Sequence, residues 1–183
     1  MAHRLTEFGR QAFRVLATRQ SDPLLRRLAK HPCGDLHKAA QQILAGRRKG
    51  SSCGFKVTVP GVLDPVSIRF VDKKSKRCYG LYDWGKHKVV IYTKGRRKTD
   101  ILGSLIHEMR HVQQYSILGY DIFSSQTHGA QICTAFEIDA FASQFAFGYN
   151  PYEEYEQVRE ADIQLVIKRL KQTCVRHAKL IGK

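Results

Sequence analysis

Hydrophobic residues recur along this chain at two different spacings, and the change of spacing divides the sequence in two. Residues 4–44 place apolar side chains three and four positions apart, with Arg and Lys between them and breaks at residues 22–23 and 32–35. Apolar residues at that spacing form one face of a helix. We therefore predict three short basic helices within residues 1–50, ending in a linker over residues 46–54.

Beyond the linker, the apolar residues become β-branched or aromatic and cluster in short runs. These runs occupy residues 55–59, 66–71, 79–82 and 89–92. Turn-forming residues, including Pro60-Gly61 and an Asp-Trp-Gly sequence at residues 83–85, separate them. Short β-rich runs punctuated by turns are typical of strands. We predict an antiparallel sheet of three or four strands.

A longer apolar stretch at residues 101–118 returns to helical spacing. Thr99 and Asp100 offer side-chain oxygens for an N-cap, and Gly119 stands where a helix would end. We predict a helix between these signals and further helices downstream. Strands flanked by helices in this order make the expected fold class α+β.

The helix predicted over this stretch contains the pentapeptide His107-Glu108-Met109-Arg110-His111, an HExxH pattern. Composition alone would produce about 0.013 such matches in a chain with eight histidines and this length, so chance is a poor explanation. Residues four apart share one face of a helix, so both histidines can bind one ion. Zinc with three protein ligands keeps a position for water. We predict Zn2+ bound by His107 and His111, with Glu108 as the general base that takes a proton from water.

A third metal ligand must come from elsewhere in the chain, and the candidates are His128, Glu137 and Asp139. All three fall on a helix predicted over residues 127–147. At about 100° per residue, His128 and Glu137 point to opposite faces, whereas His128 and Asp139 lie within about 20° of each other. The three residues cannot all bind the same ion, and the spacing leaves the choice among them open.

The sequences HEMRHVQQ at residues 107–114 and EIDA at residues 137–140 together resemble the minimal gluzincins, metallopeptidases of bacteria and phages. In that family the Glu of an ExxA motif is the third zinc ligand, which implies Glu137 here. The family often has Asp or Asn one position after the Ala, where it steadies a ligand histidine. This chain has Phe141 at that position, and Asp139 is the candidate to substitute.

The same resemblance implies a compact zincin domain with an HExxH active-site helix, which we assign to residues 51–183, behind the basic helical region 1–50. A last helix is predicted at residues 152–181. A zincin is a zinc-dependent endopeptidase, and an extended substrate pairs with one strand beside its cleft. Residues 89–92 are the strand predicted for that role. The expected partner is a protein or peptide substrate, and no oligomeric state follows from the sequence.

A rival resemblance is to the Spartan-like proteases, which act on proteins crosslinked to DNA. In those enzymes a His-Gly pair downstream of HExxH supplies the third ligand, and His128-Gly129 matches it. The strand predicted before the motif and the basic charge agree with this resemblance. A further alternative, from a different class, is a nucleic-acid-binding protein whose zinc site is not catalytic.

Charge is distributed unevenly, although the net charge of the whole chain is +15. Residues 1–50 hold eleven Lys and Arg against three acids, and residues 51–100 hold twelve against four. Residues 101–150 hold one against four, so the metal-motif segment is acidic while the remainder is basic. A basic body attracts polyanions, of which nucleic acid is the commonest, but it can equally be a solvated surface. Nucleic acid is therefore an open candidate partner.

Several classes of protein are not expected. The chain has no run of about 20 apolar residues that could span a bilayer, and its N-terminus lacks the apolar segment of a secretory signal. The five cysteines are widely spaced and contain no CxxC pair, so reduced thiols fit better than a disulfide framework or a zinc ribbon. We expect a cytoplasmic protein with no membrane partner.

Three other side chains near the motif allow two interpretations each. Arg110 points away from the predicted metal and should meet either solvent or an acid. Tyr149 could donate to an oxyanion, as could two tyrosines after it, but interfacial packing is the more ordinary role. Trp84 at a predicted hairpin tip could stack on a nucleic-acid base or bind a partner.

Overall fold

The computed structural model describes residues 35–47, 54–75, 78–119, 135–147 and 149. Its elements, in chain order, are α1 (Leu36–Ala45), β1 (Gly54–Val57), β2 (Val66–Val71), β3 (Gly80–Asp83), β4 (Lys88–Tyr92), α2 (Lys98–Leu118) and α3 (Ala135–Ala146). Four strands with helices on either side along the chain make the described part α+β, as predicted. The four strands lie within about two residues of the predicted runs.

The described strands form one mixed sheet in the order β1-β2-β4-β3. The two outer pairings are antiparallel, but β2 and β4 run parallel, with Ile68 opposite Val89. The prediction of a purely antiparallel sheet is therefore wrong at its centre. The cause is the order of connections: the chain passes from β2 to the outer position, forms β3, and returns through a tight turn. β4 then enters between β3 and β2 in the direction of β2.

The tight turn between β3 and β4 is the one that the Asp-Trp-Gly sequence predicted. A short 3-10 turn spans Trp84–Lys86, and the Asp83 side chain accepts a hydrogen bond from the Lys86 backbone N–H at 3.2 Å. His87 closes the turn in the left-handed region, at φ 46°. Its ring nitrogen Nδ1 lies 2.9 Å from the hydroxyl of Tyr82. The turn fixes the register in which β4 pairs with β3.

β4 lies inside the sheet, and this corrects the expectation that residues 89–92 pair with a substrate. Its backbone is hydrogen-bonded to β2 on one side and to β3 on the other. Within the described residues, the open edges of the sheet belong to β1 and β3. Of these two strands, β3 is the one that packs against α2.

The core lies between one face of the sheet and the helices α1 and α2. Alternate residues of β2 and β4 turn toward the helices, as the period of two in a strand requires. The fully or nearly fully buried members are Val66, Ile68, Phe70, Val89 and Ile91 from the sheet and Leu36, Ala40, Leu105, Ile106, Met109 and Val112 from the helices. Because α1 packs on α2 in this core, residues 36–45 share it with the sheet. The domain division at residue 50 remains a prediction.

α2 is buried on all sides along much of its length. Every residue from Ile101 to Gln114 is buried, including the polar ones of the HExxH motif. A helix that is buried all round lies inside the molecule, and its polar side chains must find partners there. None of the helices in the described ranges combines the length and apolar character that crossing a membrane requires.

The ends of α2 agree with the prediction at one end only. Gly119 follows the helix at φ 80°, a conformation that glycine adopts without strain. The start was wrong, because the helix begins at Lys98 and its N-cap residue is Arg97. Asp100 lies inside the helix, three residues after the N-cap, and its carboxylate accepts from the Arg97 guanidinium at 3.0 and 2.9 Å.

Some predictions concern residues outside the described ranges. These are the helices before residue 35, most of the linker, the first part of the 127–147 helix, the 152–181 helix and the cysteines other than Cys78. The described part of the 127–147 helix is α3. Among the described residues, Cys78 forms no disulfide, and its Sγ lies 3.9 Å from Ser75 Oγ.

Candidate metal centre

α2 presents His107 and His111 on one face, as their four-residue spacing requires. Their Nε2 atoms lie 3.1 Å apart, and the rings meet nearly edge to face with centroids separated by 4.7 Å. The two residues are 9% and 8% exposed. The helix therefore directs the same nitrogen of both imidazoles toward one point in a nearly dry environment.

α3 packs against α2 and brings Glu137 to the two histidines. Glu137 Oε2 lies 3.0 Å from His107 Nε2, and Oε1 lies 3.2 Å from His111 Nε2. Among the described residues, these three form a group whose ligand atoms all lie within 4.8 Å of one another. Glu137 is therefore the described candidate that reaches the histidines. The competing candidate His128 lies outside the described residues.

Asp139 lies two residues further along α3 but has a different partner. The Arg110 guanidinium binds it with two hydrogen bonds, from Nε to Oδ2 at 2.6 Å and from Nη2 to Oδ1 at 3.2 Å. Both side chains are completely buried. Asp139 therefore stays outside the group of three. Of the two surroundings predicted for Arg110, the acid is confirmed and solvent is wrong.

The three converging side chains fit a divalent cation. Two imidazole nitrogens and a carboxylate are a donor set that zinc accepts, and ligand atoms around tetrahedral zinc stand about 3.3 Å apart. The separations here, 3.0, 3.1 and 3.2 Å, are close to that value. Lone pairs and a carboxylate this close repel one another unless a proton or a cation lies among them. Donor type and spacing thus suit a zinc-sized ion.

Glu108 lies against the open edge of β3. The backbone N–H of Tyr82 donates to its carboxylate. Gly80 approaches so closely that a Cβ atom there would lie 2.7 Å from Glu108 Cγ and from Oε1. The Tyr92 N–H donates to the Tyr79 carbonyl, so these two residues form a hydrogen-bonded pair of the β3–β4 ladder. Such pairs alternate along an antiparallel ladder. The N–H and C=O groups of Gly80 and of Tyr82 therefore point away from β4. The carboxylate therefore stands at the strand's free edge.

Burial and neighbouring charges set the protonation of these groups. Burial opposes ionisation of Glu137, but the two histidines outweigh it and hold the pKa of its carboxyl well below its usual range. Burial alone would lower the pKa of His111, yet Glu137 raises it to about 9. For Glu108, burial outweighs the attraction of the histidines and raises its pKa. An ionised carboxylate that can bind a cation thus stands near one that is a better proton acceptor.

A chain of buried hydrogen bonds connects His111 to the Arg110–Asp139 pair. The Nδ1 atom of His111 lies 2.8 Å from Oε1 of Gln114. Gln114 Nε2 donates in turn to Asp139 Oδ2 at 2.8 Å and to the Phe136 carbonyl at 2.9 Å. Asp139, the candidate support for a ligand histidine, therefore reaches His111 through Gln114.

His107 is held in a different way. Phe141 packs on its ring, with centroids 4.6 Å apart. No described residue gives the buried Nδ1 atom of His107 a hydrogen-bond partner. The position at which the gluzincin family often places a supporting Asp or Asn is thus occupied here by an aromatic side chain that packs and does not hydrogen-bond.

Tyr149 and Trp84 have structural surroundings that account for them. The Tyr149 hydroxyl lies 3.1 Å from His37 Nε2 on α1, and its Cβ packs near Gly103. Trp84 is partly buried and packs against the core. These contacts favour the packing interpretation of Tyr149 and leave less of Trp84 available for stacking. The other two tyrosine candidates lie outside the described residues.

Two residues that touch the site were missed by the sequence analysis. Gln114 lies three positions after His111, a spacing at which helical side chains meet, and it is a polar residue in an otherwise buried stretch. That combination could have indicated a partner for the histidine. Gly80 had no such signal, because its importance arises from a contact between β3 and α2 that the sequence pattern does not reveal.

Comparison of the chain with protein-family models, with curated proteins and with solved structures finds no match.

Proposed function

We propose that this protein is a zinc-dependent metallopeptidase in which His107, His111 and Glu137 bind the metal and Glu108 is the general base. The convergence of the three ligand atoms carries the proposal. A structural zinc site normally has four protein ligands, whereas a catalytic one has three and a position for water. Three His, Cys, Asp or Glu residues form the group in the described part of the chain, which supports the catalytic type.

Peptide hydrolysis would use the chain's own residues in a fixed order. A divalent cation held by the three ligands would polarise the scissile carbonyl and acidify a water molecule. Glu108 would accept a proton from the attacking water and return it to the leaving amine. Its buried surroundings raise its pKa and so strengthen it as a base. The same ligands also bind manganese or iron, so the metal has to be identified by measurement.

We propose further that an extended peptide substrate lies along β3. The support is that β3 has an open edge in the described sheet and that Glu108 stands at that edge, where it accepts the Tyr82 N–H; the peptide would pair with the other outward-facing backbone groups of Gly80 and Tyr82. Backbone hydrogen bonds to a strand edge hold a peptide extended without reading its side chains. This replaces β4, whose backbone groups are already paired on both sides.

Metal content tests the ligand assignment directly. Elemental mass spectrometry of the purified protein should find one zinc per chain, lost in both His111→Ala and Glu137→Ala. Retention of zinc in Glu137→Ala would move the assignment to His128. Glu108→Gln should keep the metal and lose peptidase activity, whereas an unchanged activity in that variant would refute the mechanism.

A second candidate function, association with nucleic acid, rests on a cluster of exposed cations. Because β2 and β4 are parallel neighbours, the loops that follow them lie side by side at the same end of the sheet. Lys73 and Lys74 follow β2, and Lys94 and Lys98 follow β4, and all four are exposed. The Lys74 side chain reaches to 3.3 Å from the position of a Cβ on Gly95, so the two loops adjoin.

Salt dependence of DNA binding tests this second candidate. If three of these lysines contact phosphates, changing Lys73, Lys74 and Lys94 to Glu should weaken binding and lower the slope of log K against log salt by about 2 to 3. Changing the exposed lysines 38, 56 and 86 to Glu alters the net charge equally and is the matched control. Equal losses in both triple variants would argue against a defined binding surface. Glu108→Gln should bind DNA like the wild type.

A further inference from the structure

We propose that Gln114 and Asp139, anchored by Arg110, position His111 as a metal ligand by fixing which of its ring nitrogens carries the proton. The inference rests on the proposed metal site and goes beyond it, because it assigns a function to three residues that do not touch the metal. Positioning residues of this kind affect the affinity for the metal through the ligand they hold.

The direction of the hydrogen bonds follows from the chemistry of the partners. Arg110 can only donate, so the Asp139 carboxylate accepts from it. The Phe136 carbonyl is also only an acceptor, and one amide atom of Gln114 lies within 2.9 Å of both that carbonyl and Asp139. That atom must therefore be the NH2 nitrogen of Gln114, which has two hydrogens to donate.

The orientation of the amide decides the tautomer of His111. With its nitrogen turned toward the two acceptors, Gln114 presents its oxygen to His111 Nδ1 at 2.8 Å. An amide oxygen can only accept, so Nδ1 must carry a hydrogen. In a neutral ring, the Nε2 atom then has a free lone pair, and this is the nitrogen that faces Glu137. The network thus turns the ligating nitrogen toward the metal position.

The buried Arg110–Asp139 pair holds the Gln114 amide in this orientation. Arg110 and Asp139 are completely buried, and the two hydrogen bonds between them hold the Asp139 carboxylate in place. A buried carboxylate that lost these donors would be strongly destabilised, so the oxygens of Asp139 stay directed at Arg110 and Gln114. His107 has no comparable support among the described residues, since its Nδ1 lacks a partner. Of the two histidines, His111 is therefore the one whose orientation is set by hydrogen bonds.

Two neighbouring glutamines allow a matched test. Gln114→Met keeps the side-chain volume but removes the hydrogen bond to His111, and it should weaken zinc affinity about 10- to 100-fold. Gln113→Met is the control, because Gln113 is also buried and also binds Arg110, yet its other contact is the Pro60 carbonyl at 2.6 Å. Its zinc affinity should match that of the wild type. Competition with a chromophoric chelator measures all of these affinities.

The outcomes separate this inference from the proposed function. Zinc binding by Gln114→Met as tight as by the wild type would overturn the inference and leave the metal site intact. Failure of the wild type to bind zinc, manganese or iron would overturn the proposed function and the inference together. A similar loss of affinity in both glutamine variants would show a general structural effect and also overturn the positioning role.

A measurement on the wild type does not depend on the variants folding. Long-range proton–nitrogen NMR correlations distinguish the two tautomers of a histidine ring, and sequential assignment of the wild type identifies the signals of His111. We expect the hydrogen of His111 on Nδ1 in the zinc-loaded protein, together with exchange protection from its bond to Gln114. An Nδ1 hydrogen that exchanges as fast as one exposed to solvent would refute the inference alone, whereas an Nε2–H tautomer would overturn the proposed metal site together with it.

Discussion

Replacing Gly80 with alanine tests the contact between β3 and Glu108. A Cβ at residue 80 would lie 2.7 Å from both Cγ and Oε1 of Glu108 and 3.0 Å from its Cδ, whereas ordinary contact distances are 3.4–4 Å. Glu108 is only 7% exposed, and its carboxylate accepts the N–H of Tyr82. The side chain therefore cannot move away without losing packing or that hydrogen bond.

Two opposing effects set the change in the free energy of unfolding that Gly80→Ala causes. Forcing one extra methyl group into a packed contact typically costs about 1–3 kcal/mol. Replacing a strand glycine by alanine restricts the unfolded chain and stabilises the protein by about 0.4–1 kcal/mol. We expect the steric cost to exceed the gain, so Gly80→Ala should lower the free energy of unfolding by about 0.5–2 kcal/mol.

Gly54→Ala is a matched control for this substitution. Gly54 begins the other edge strand, β1, and a Cβ there would have its nearest contact at 3.7 Å, to the Ile68 carbonyl. This variant should be as stable as the wild type or slightly more stable. Urea unfolding with a chelator present measures both variants without any contribution from bound metal, and the difference between them estimates the steric cost.

A double variant decides whether Glu108 is the cause. Glu108→Ala removes the three atoms that a Cβ at residue 80 would meet. Adding Gly80→Ala to Glu108→Ala should therefore cost nothing or stabilise the protein. A cost for Gly80→Ala that stays the same in both backgrounds would refute the reasoning. Under the proposed function, Gly80→Ala should also lower peptidase activity by about 100-fold with zinc content unchanged, because the displaced base is about 1 Å from its working position.

Three further predictions follow from the charges of the site. In the metal-free chain, burial alone would lower the pKa of His111, but Glu137 foremost, with Glu108 and Gln114, raises it from 6.5 to about 9. The resulting contribution to stability is complete below pH 6.5, is lost as pH rises through about 9, and is on the order of 3 kcal/mol. Urea unfolding at several pH values should show the decline, and Glu137→Gln should abolish it. Zinc should stabilise the wild type more at pH 8 than at pH 6, because protons compete for its ligands; a shift in melting temperature independent of pH would contradict this. Arg110→Met should cost about 3–5 kcal/mol because it leaves Asp139 buried without a cation, and adding Asp139→Leu should recover part of the loss.

The strands of this fold could be located from sequence because their signal is local. β-branched and aromatic runs between turn residues predicted a sheet of three or four strands, and each of the four runs forms a strand within about two residues of its predicted position. Their pairing is not a local property. The same four runs are compatible with a simple antiparallel meander or with the mixed order observed, in which β4 enters between β2 and β3. Only the spatial path of the chain distinguishes these arrangements.

The start of α2 shows how one side-chain contact overrides a local signal. Asp100 was a reasonable N-cap by residue type, since its carboxylate can accept a backbone N–H. In the structure that carboxylate accepts two hydrogen bonds from Arg97 instead. Arg96 does not replace the cap, because its guanidinium can only donate: it binds the Asp100 carbonyl and Ser104 Oγ, at 2.9 and 2.7 Å. Residue type alone does not reveal which of two available donors an acid will take.

The choice between Glu137 and Asp139 illustrates what helical periodicity can and cannot decide. Residues two positions apart on a helix point about 200° away from each other, so periodicity places these acids on different faces of α3. It does not say which face meets the histidines, because that depends on how α3 crosses α2.

The buried Arg110 supplies the missing information. It lies between the two histidines in sequence and, by the same periodicity, points away from their face. A buried cation needs an acid, and the acid on the opposite face of α3 meets it. Once Asp139 neutralises Arg110, the crossing of the two helices leaves Glu137 to face the imidazoles. The ion pair and the candidate metal site are therefore two consequences of one helix packing, and changing either should disturb the other.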